Sequence, residues 1–430
     1  MKVILVNPKQ LQGIQGVYPS LGIAYIASAL TEKGIDTKIW DLPANRWSET
    51  KFEIQLEEES PNIVGITANS FTFPEAKKLA GIIKRKNNQI KVVLGGPHVT
   101  LYPTETLLHP EFDFAFFGEA EVSFPNFIEA LNNQSLLSGV KGLVYRENGK
   151  ITCNSPQEPI VDLDKISFPA RHLIPMEKYF SPIARASPYH IMITSRGCPF
   201  SCTYCAPSLE GKKFRMRSPT NTVDEIEELV LNYGIKELQF YDDSFSVNKN
   251  RVMQICDEIT RRELKFQWDA RTRVDIVDEN LLKKMKGAGC TRIRYGIESG
   301  DQRILDIMNK NTTLEQIEQA VALTRDIGGI EILTYFMIGT PGETLNTIHR
   351  TIDLAKRLNP DHVRFNITNA NPGTQMYKDA LEKGIFKEDY WLHYAQGRLI
   401  EIPNLVFETE EYTRRDLEKL VKYAYQECKR

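Results

Sequence analysis

Short runs rich in Val, Ile and Leu recur along this chain, each followed by a longer stretch with apolar residues at helical spacing. A run of about five apolar residues bounded by turn formers suits a strand covered on both faces. Strands alternating with helices build a parallel sheet with helices on both sides. In residues 1–135 the pattern predicts strands at residues 2–6, 36–40, 63–67, 91–94 and 112–117, with helices at 21–33 and 74–86. That is a doubly wound parallel α/β sheet, which takes its ligand beyond the carboxyl ends of its strands. Those ends read Asn7-Pro8, Thr67 to Ser70 with Asn69 between them, Gly95-Gly96-Pro97-His98 and Gly118-Glu119. Glycines there permit close backbone approach to a large flat or phosphorylated ligand, although each pair also suits an ordinary turn.

A second alternation fills residues 190–370, with strands at 190–194, 237–241, 266–270, 292–297, 330–338 and 362–367. Six strand–helix units are too few for a closed eightfold barrel, so a partial (βα)6 barrel is expected. Between the two lies residues 136–189, a hairpin with an Asn148-Gly149 turn and then a proline-punctuated linker. Residues 371–430 are mixed, end in a charged helix at 413–429, and are expected to close the open side of the barrel.

Seven cysteines in a long chain do not suggest a disulfide framework, because the count is odd. Three of them fall within eight residues, Cys198-Pro-Phe-Ser-Cys202-Thr-Tyr-Cys205, on the loop after the first strand of the second alternation. Three thiolates on a tight loop can ligate three irons of a cubane cluster and leave the fourth iron open to a small chelator. Structural zinc is the rival and wants a fourth protein ligand; His190 sits on the entering strand and Cys153 is remote. Three inert buried cysteines are the plain alternative. Cys153, Cys256, Cys290 and Cys428 read as structural.

The CxxxCxxC spacing, the aromatic Tyr204 before the third Cys and the partial barrel around it resemble the radical S-adenosylmethionine (SAM) enzymes. The resemblance implies a 4Fe-4S cluster on Cys198, Cys202 and Cys205, with SAM on the open iron and cleaved to a 5′-deoxyadenosyl radical. It assigns SAM contacts to Tyr204 and to the later strand ends: Asp242, Asp243 and Ser244; Arg271 and Arg273, whose guanidinium forks suit a carboxylate; Glu298 and Ser299; and Ile338 and Gly339. Each also has a plain reading, a helix cap for Asp242 or Glu298 and a surface ion pair for either Arg.

The N-terminal strand ends resemble the Rossmann-like cobalamin-binding domain of the B12-dependent branch of that superfamily, and the likeness spans residues 1–370. It implies cobalamin contacts at Asn7, Pro8, Tyr18, Ser20, Leu21, Gly22, Asn69, Ser70, Gly95, Gly96, His98, Gly118 and Glu119. The chain has no Asp-x-His-x-x-Gly run, the motif that supplies a lower cobalt ligand in other B12 proteins. His98 is the histidine candidate for that role, in a position that equally suits a turn residue.

The two resemblances together imply a C-methyltransferase. One SAM methylates the corrinoid, and a second yields the radical that activates an unactivated substrate carbon for methylation by methylcobalamin. The alternatives are a B12-dependent radical SAM oxidase or cyclase without methyl transfer, and an iron–sulfur protein without cobalamin. A peptide or protein substrate is expected, with a small molecule as the other class; Tyr394 and Arg398 are expected to line its entrance, although the aromatic equally suits a C-terminal core patch. An external electron donor of the flavodoxin or ferredoxin type is implied. Charge is balanced, 54 basic against 56 acidic residues, which argues against nucleic-acid binding. No apolar run reaches the ~18 residues needed to cross a bilayer, and the first, Val3 to Val6, is short for a secretion signal. A cytoplasmic, oxygen-poor setting and a monomer or weak dimer are expected.

Overall fold

The computed structural model describes residues 1–9, 16–206 and 213–428. The chain forms two units, Met1–His190 with Lys387–Pro403, and Ile191–Phe386 with Asn404–Arg430.

The first unit is built on a seven-stranded sheet in the order β2-β1-β3-β4-β5-β6-β7. Strands β1 (Lys2–Asn7), β2 (Asp36–Asp41), β3 (Ile63–Thr67), β4 (Lys91–Gly95) and β5 (Phe114–Phe116) are parallel. The interior strand β1 buries Val3 to Asn7 without a break, as a strand covered on both faces requires. Between strands, the helix Leu21–Glu32 ends before Gly34, whose φ of +70° lets the chain turn back into β2. The helix Phe73–Lys86 carries Glu75 in its first turn and Lys84, Arg85 and Lys86 in its last, so its charges oppose its dipole.

The hairpin β6 (Leu143–Glu147) and β7 (Lys150–Cys153) does not stand apart as a bridge. It extends this sheet, with β6 antiparallel to β5 and β7 antiparallel to β6. Asn148 and Gly149 both have positive φ, so the turn forms as its residues dictate. The linker also joins the core: Ala170, Ile174 and Tyr179 pack with Leu5, Ile23, Val93 and Phe127. Two helices of ten residues or more are absent from the sequence reading. Glu49–Glu59 buries only Phe52 and Leu56, and Ser123–Asn132 has a proline in its first turn.

The second unit holds a six-stranded sheet in the order β15-β14-β13-β12-β11-β8. Its strands are β8 (Tyr189–Met192), β11 (Glu237–Phe240), β12 (Gln267–Thr272), β13 (Cys290–Glu298), β14 (Glu331–Ile338) and β15 (His362–Ile367). Neighbours from β11 to β15 pair in parallel. Two short strands, β9 (Ser195–Arg196) and β10 (Arg215–Met216), form an antiparallel ribbon. The helices between strands start on Ser218, Asn248, Asp278, Asp301, Thr313 and Thr344, and each cap side chain accepts a backbone N–H three residues on. The last helix, Arg414–Glu427, lies against β15, where the Tyr425 and Phe365 rings meet edge to face. Lys429 of the expected helix lies outside the described residues.

The C-terminal region does not stay together. Residues 371–386 and 404–428 belong to the second unit, whereas Lys387–Pro403 belongs to the first. Among the described residues no helix is long and apolar enough to cross a membrane.

Candidate functional site

The cysteine loop leaves β8 through a fixed turn. Asp242, at the end of β11, accepts the Thr194 N–H at 3.1 Å, the Thr194 hydroxyl at 2.9 Å and the Ser195 hydroxyl. Gly197 then turns at a φ of +80°. The loop runs between the two arms of the β9–β10 ribbon and is tied at its far side. Thr203 N–H donates to the Met308 carbonyl at 2.9 Å, the Thr203 carbonyl accepts from Met376 N–H at 2.8 Å, and Asn309 Nδ2 donates to the Ser201 carbonyl at 2.8 Å. Cys198 and Cys202 are half-buried, Cys205 is exposed, and all three are free thiols.

Two cations stand beside the loop. Arg273 Nη1 lies 3.8 Å from Cys202 Sγ, and its guanidinium sits 3.9 Å above the Phe200 ring. The same side chain is braced by both Asp275 oxygens at 2.9 Å and by the Lys310 carbonyl at 2.6 Å. Lys310 Nζ donates to Tyr204 Oη at 3.0 Å and to Glu298 Oε1 at 3.1 Å, and the Tyr204 hydroxyl donates to the same Oε1 at 3.1 Å. Glu298 ends β13 beyond a register shift and has a φ of +72°. A side-chain-bearing residue in that region carries strain that must be held by its surroundings, and such strain concentrates at working sites.

These thiols suit an iron–sulfur cluster. Desolvation pushes the half-buried Cys198 thiol up, with the Asp243 carboxylate adding to the rise, so metal must displace a proton to bind. Arg273 beside Cys202 favours the thiolate that results. Among the described residues no three His, Cys, Asp or Glu side chains are arranged around one ion. Three thiolates that each take a separate iron have no need to converge on a point.

The residues expected near SAM fall into three groups. Tyr204, Glu298 and Arg273 gather at the cysteine loop, as described. Arg271 stacks 4.2 Å above the Tyr241 ring, Asp243 is exposed, and the buried Ser244 Oγ has no partner among the described residues. The remaining residues are engaged within the fold: Asp242 in the turn after β8, Ser299 Oγ with Thr351 Oγ1 at 3.3 Å, and Gly339 N–H with Glu343 Oε2 at 2.7 Å. Ile338 is buried in β14. The sequence reading gave Lys310 and Glu343 no role. Glu343 also takes the Thr340 N–H, and burial raises its carboxyl to about 7.

In the first unit, parallel strands bring Asn7, Asn69-Ser70, Gly95-Gly96 and Gly118-Glu119 to one edge of the sheet. Asn7 is buried and bonds Asp41 Oδ1 at 3.2 Å, and Pro8 follows it. Gly96, at a φ of +95°, packs so closely that a Cβ would come within 2.8 Å of the Ala68 carbonyl. By contrast a Cβ on Gly22 or Gly118 would meet no described residue within 4 Å. Ser20 is the N-cap of the first helix with no side-chain cap bond, Leu21 is buried, and Tyr18 Oη bonds Ser181 Oγ at 3.2 Å. Glu119 accepts the Ile160 N–H at 2.8 Å.

Three further expected site residues lie in the first unit. His98 is fully buried, stacked on Phe73 at 3.9 Å, with Nδ1 on Ser70 Oγ at 3.1 Å. Burial lowers its pKa to about 3, so the ring is neutral. Tyr394 is buried in the first unit, where its ring joins the aromatic cluster around Phe73. Arg398 is exposed, also in the first unit.

Known proteins bear on both units. The radical SAM superfamily profile matches residues 192–355, and the B12-binding domain profile matches residues 11–128. A Pyrococcus horikoshii protein described as an uncharacterized methyltransferase is 36% identical over 99% of this chain and 92% of its own. The anaerobic magnesium-protoporphyrin IX monomethyl ester cyclase of Rubrivivax gelatinosus is 31% identical over 89% of this chain and 70% of its own. In fold the chain is similar to the radical SAM methyltransferase TsrM of Kitasatospora setae, solved with tryptophan and a SAM analogue. The TM-score is 0.75 at 21% identity, covering 89% of this chain and 76% of that one.

Proposed function

This chain belongs to the cobalamin-dependent branch of the radical SAM superfamily, and on that premise we propose that it methylates an unactivated carbon of a peptide or protein residue. The observation that carries the reading is the loop of Cys198, Cys202 and Cys205, fixed beyond the strand ends of a parallel sheet and flanked by Arg273 and Lys310. When bound, the cluster supplies the electron that cleaves SAM, and the corrinoid supplies the carrier for the methyl group.

The side chains then have separate tasks. Cys198, Cys202 and Cys205 hold three irons. Arg273 stabilises the thiolate at Cys202 by charge and by an N–H···S contact. Tyr204, Glu298 and Lys310 form a closed set of hydrogen bonds that holds the loop between Cys202 and Cys205 against β13. Ser244 keeps a buried hydroxyl free among the described residues for a polar atom of SAM. Arg271 offers a guanidinium, and Asp243 a carboxylate, from the ends of β12 and β11. In the first unit Gly22 and Gly118, which carry no side chain, suit close packing of a corrinoid. An external flavodoxin or ferredoxin supplies electrons.

The test uses the anaerobically reconstituted protein with SAM, hydroxocobalamin and a low-potential reductant, presented with a peptide library. Formation of 5′-deoxyadenosine and S-adenosylhomocysteine, with a product heavier by one CH₂ unit, supports the reading. Deoxyadenosine formation by the Cys202→Ala protein overturns the cluster assignment, and its absence from the wild-type reaction overturns the whole. The relative named as a ring cyclase favours a second reading, radical chemistry without methyl transfer. That reading predicts deoxyadenosine and a product that gains no CH₂ unit.

A further inference from the structure

The first unit is completed from far downstream. After the six-stranded sheet is built, Lys387–Pro403 returns to group with Met1–His190. Its helix Tyr390–Ala395 starts on Asp389, which accepts the Leu392 N–H at 3.0 Å, and buries Trp391 and Tyr394. The Trp391 ring meets Phe71 edge to face at 5.6 Å, and Tyr394 lies 6.0 Å from Phe73 and 6.4 Å from His98. The Ala395 carbonyl bonds His109 Nε2 at 2.9 Å. Gly397, at a φ of +74°, approaches the same ring so closely that a Cβ would come within 2.8 Å of it.

These contacts converge on the turn that follows β3. Ser70 is held at two atoms: its carbonyl accepts the Tyr394 hydroxyl at 3.1 Å, and its Oγ pairs with His98 Nδ1 at 3.1 Å. His98 is itself locked, by its stack on Phe73 and by its backbone N–H on the Ala68 carbonyl at 3.0 Å. Asn69 Oδ1 takes the Phe71 and Thr72 N–H groups at 2.9 and 3.0 Å. The turn so fixed leaves Asn69 and Phe71 exposed at the carboxyl edge of the sheet, where this architecture takes its ligand.

We infer that Lys387–Pro403 is an integral part of the corrinoid site, with Tyr394 and His98 as positioning residues that fix the Ala68–Thr72 turn for contact with the corrinoid. The inference rests on the reading of this unit as a cobalamin binder. It gives His98 the work of a clamp within the core, and it gives Tyr394 a place in cofactor binding instead of substrate binding. The B12-binding match ends at residue 128, so the contribution of residues 387–403 lies outside it.

The experiment titrates hydroxocobalamin into the full-length, cluster-reconstituted protein and reads the visible spectrum of the bound corrinoid, with the unfolding midpoint of the corrinoid-free protein measured alongside. Tyr394→Phe keeps the ring and removes the hydroxyl. A hydrogen bond of ordinary strength predicts a Kd raised about fivefold to tenfold, with the bound spectrum shifted toward that of free corrinoid. A Kd within twofold of wild type overturns the inference, whether or not the unfolding midpoint falls, since a purely structural tyrosine would move only the midpoint. Should Tyr394→Phe not fold, Trp391→Phe decides by the same criterion, because Trp391 packs the same segment onto Phe71 and is not itself an expected corrinoid contact. Wild-type protein that binds no corrinoid overturns the cobalamin reading itself, a result separate from failure of the variant.

Discussion

Replacing Lys310 with Met keeps the apolar stem and deletes the ammonium that joins Tyr204 to Glu298. Lys310 and Glu298 are 5% and 8% exposed, and their charges are 3.1 Å apart. At an effective dielectric constant of about 20 that separation gives a gross attraction of about 5 kcal/mol. Most of it offsets the desolvation of the two groups, so the intact pair contributes little net stability. Removing one partner leaves the Glu298 carboxylate buried with only the Tyr204 hydroxyl, and that costs about 3 kcal/mol. Adding Glu298→Gln removes the stranded charge, so the double variant should recover about 2 kcal/mol relative to the sum of the single losses. The assay is urea unfolding of the cluster-free protein under argon. Hydrogen-exchange mass spectrometry separates the peptides of β11 to β14 from those of the first unit. A loss below about 1 kcal/mol for Lys310→Met, or single losses that simply add, would refute the idea that this set acts as one unit.

Four further outcomes are expected. Glu343 has its carboxyl raised to about 7 from an ordinary 4.5, so the folded state holds the proton more tightly than the unfolded one. Its contribution is therefore full below about pH 4.5 and lost as pH rises through 7, and Glu343→Gln should stabilise the protein at about pH 8 by up to about 3 kcal/mol, an advantage absent near pH 4.5 in paired melting curves. His98 is a base lowered to about 3 from 6.5, so its stability is present above about pH 6.5 and lost as pH falls toward 3. His98→Gln should flatten the acid limb of first-unit unfolding, by up to about 5 kcal/mol. Cys202→Ala should leave the anaerobically reconstituted protein without the visible absorption and acid-labile sulfide of a 4Fe-4S cluster. Trp391 is fully buried, and Trp391→Ala should destabilise the first unit by about 3 to 5 kcal/mol, although residue 391 stands far from Met1–His190 in sequence.

Most strands were legible because their signal is local. The unbroken apolar runs of β1, β3 and β4 each depend on a few adjacent residues. The cysteine loop was legible for the same reason, since three ligands lie within eight residues. Some strand ends moved by one or two residues because pairing in the ladder, and not hydrophobicity, decides where a strand stops. Glu49–Glu59 escaped notice because its mostly charged surface carries a weak periodic signal.

By itself the sequence determined the alternation of strands and helices, the hairpin turn at Asn148-Gly149, and the thiol set that points to iron–sulfur chemistry. Only the tertiary structure decided that the hairpin pairs with β5, that Asp242 fixes the exit from β8, and that Lys310 closes on Glu298 and Tyr204. It alone decided that Tyr394 bonds Ser70. These contacts join residues distant in the chain, and a periodic pattern shows that a face will be buried without naming what will cover it. A lysine, an aspartate or a tyrosine in isolation has many equally good partners, and packing selects one by removing water from the rest.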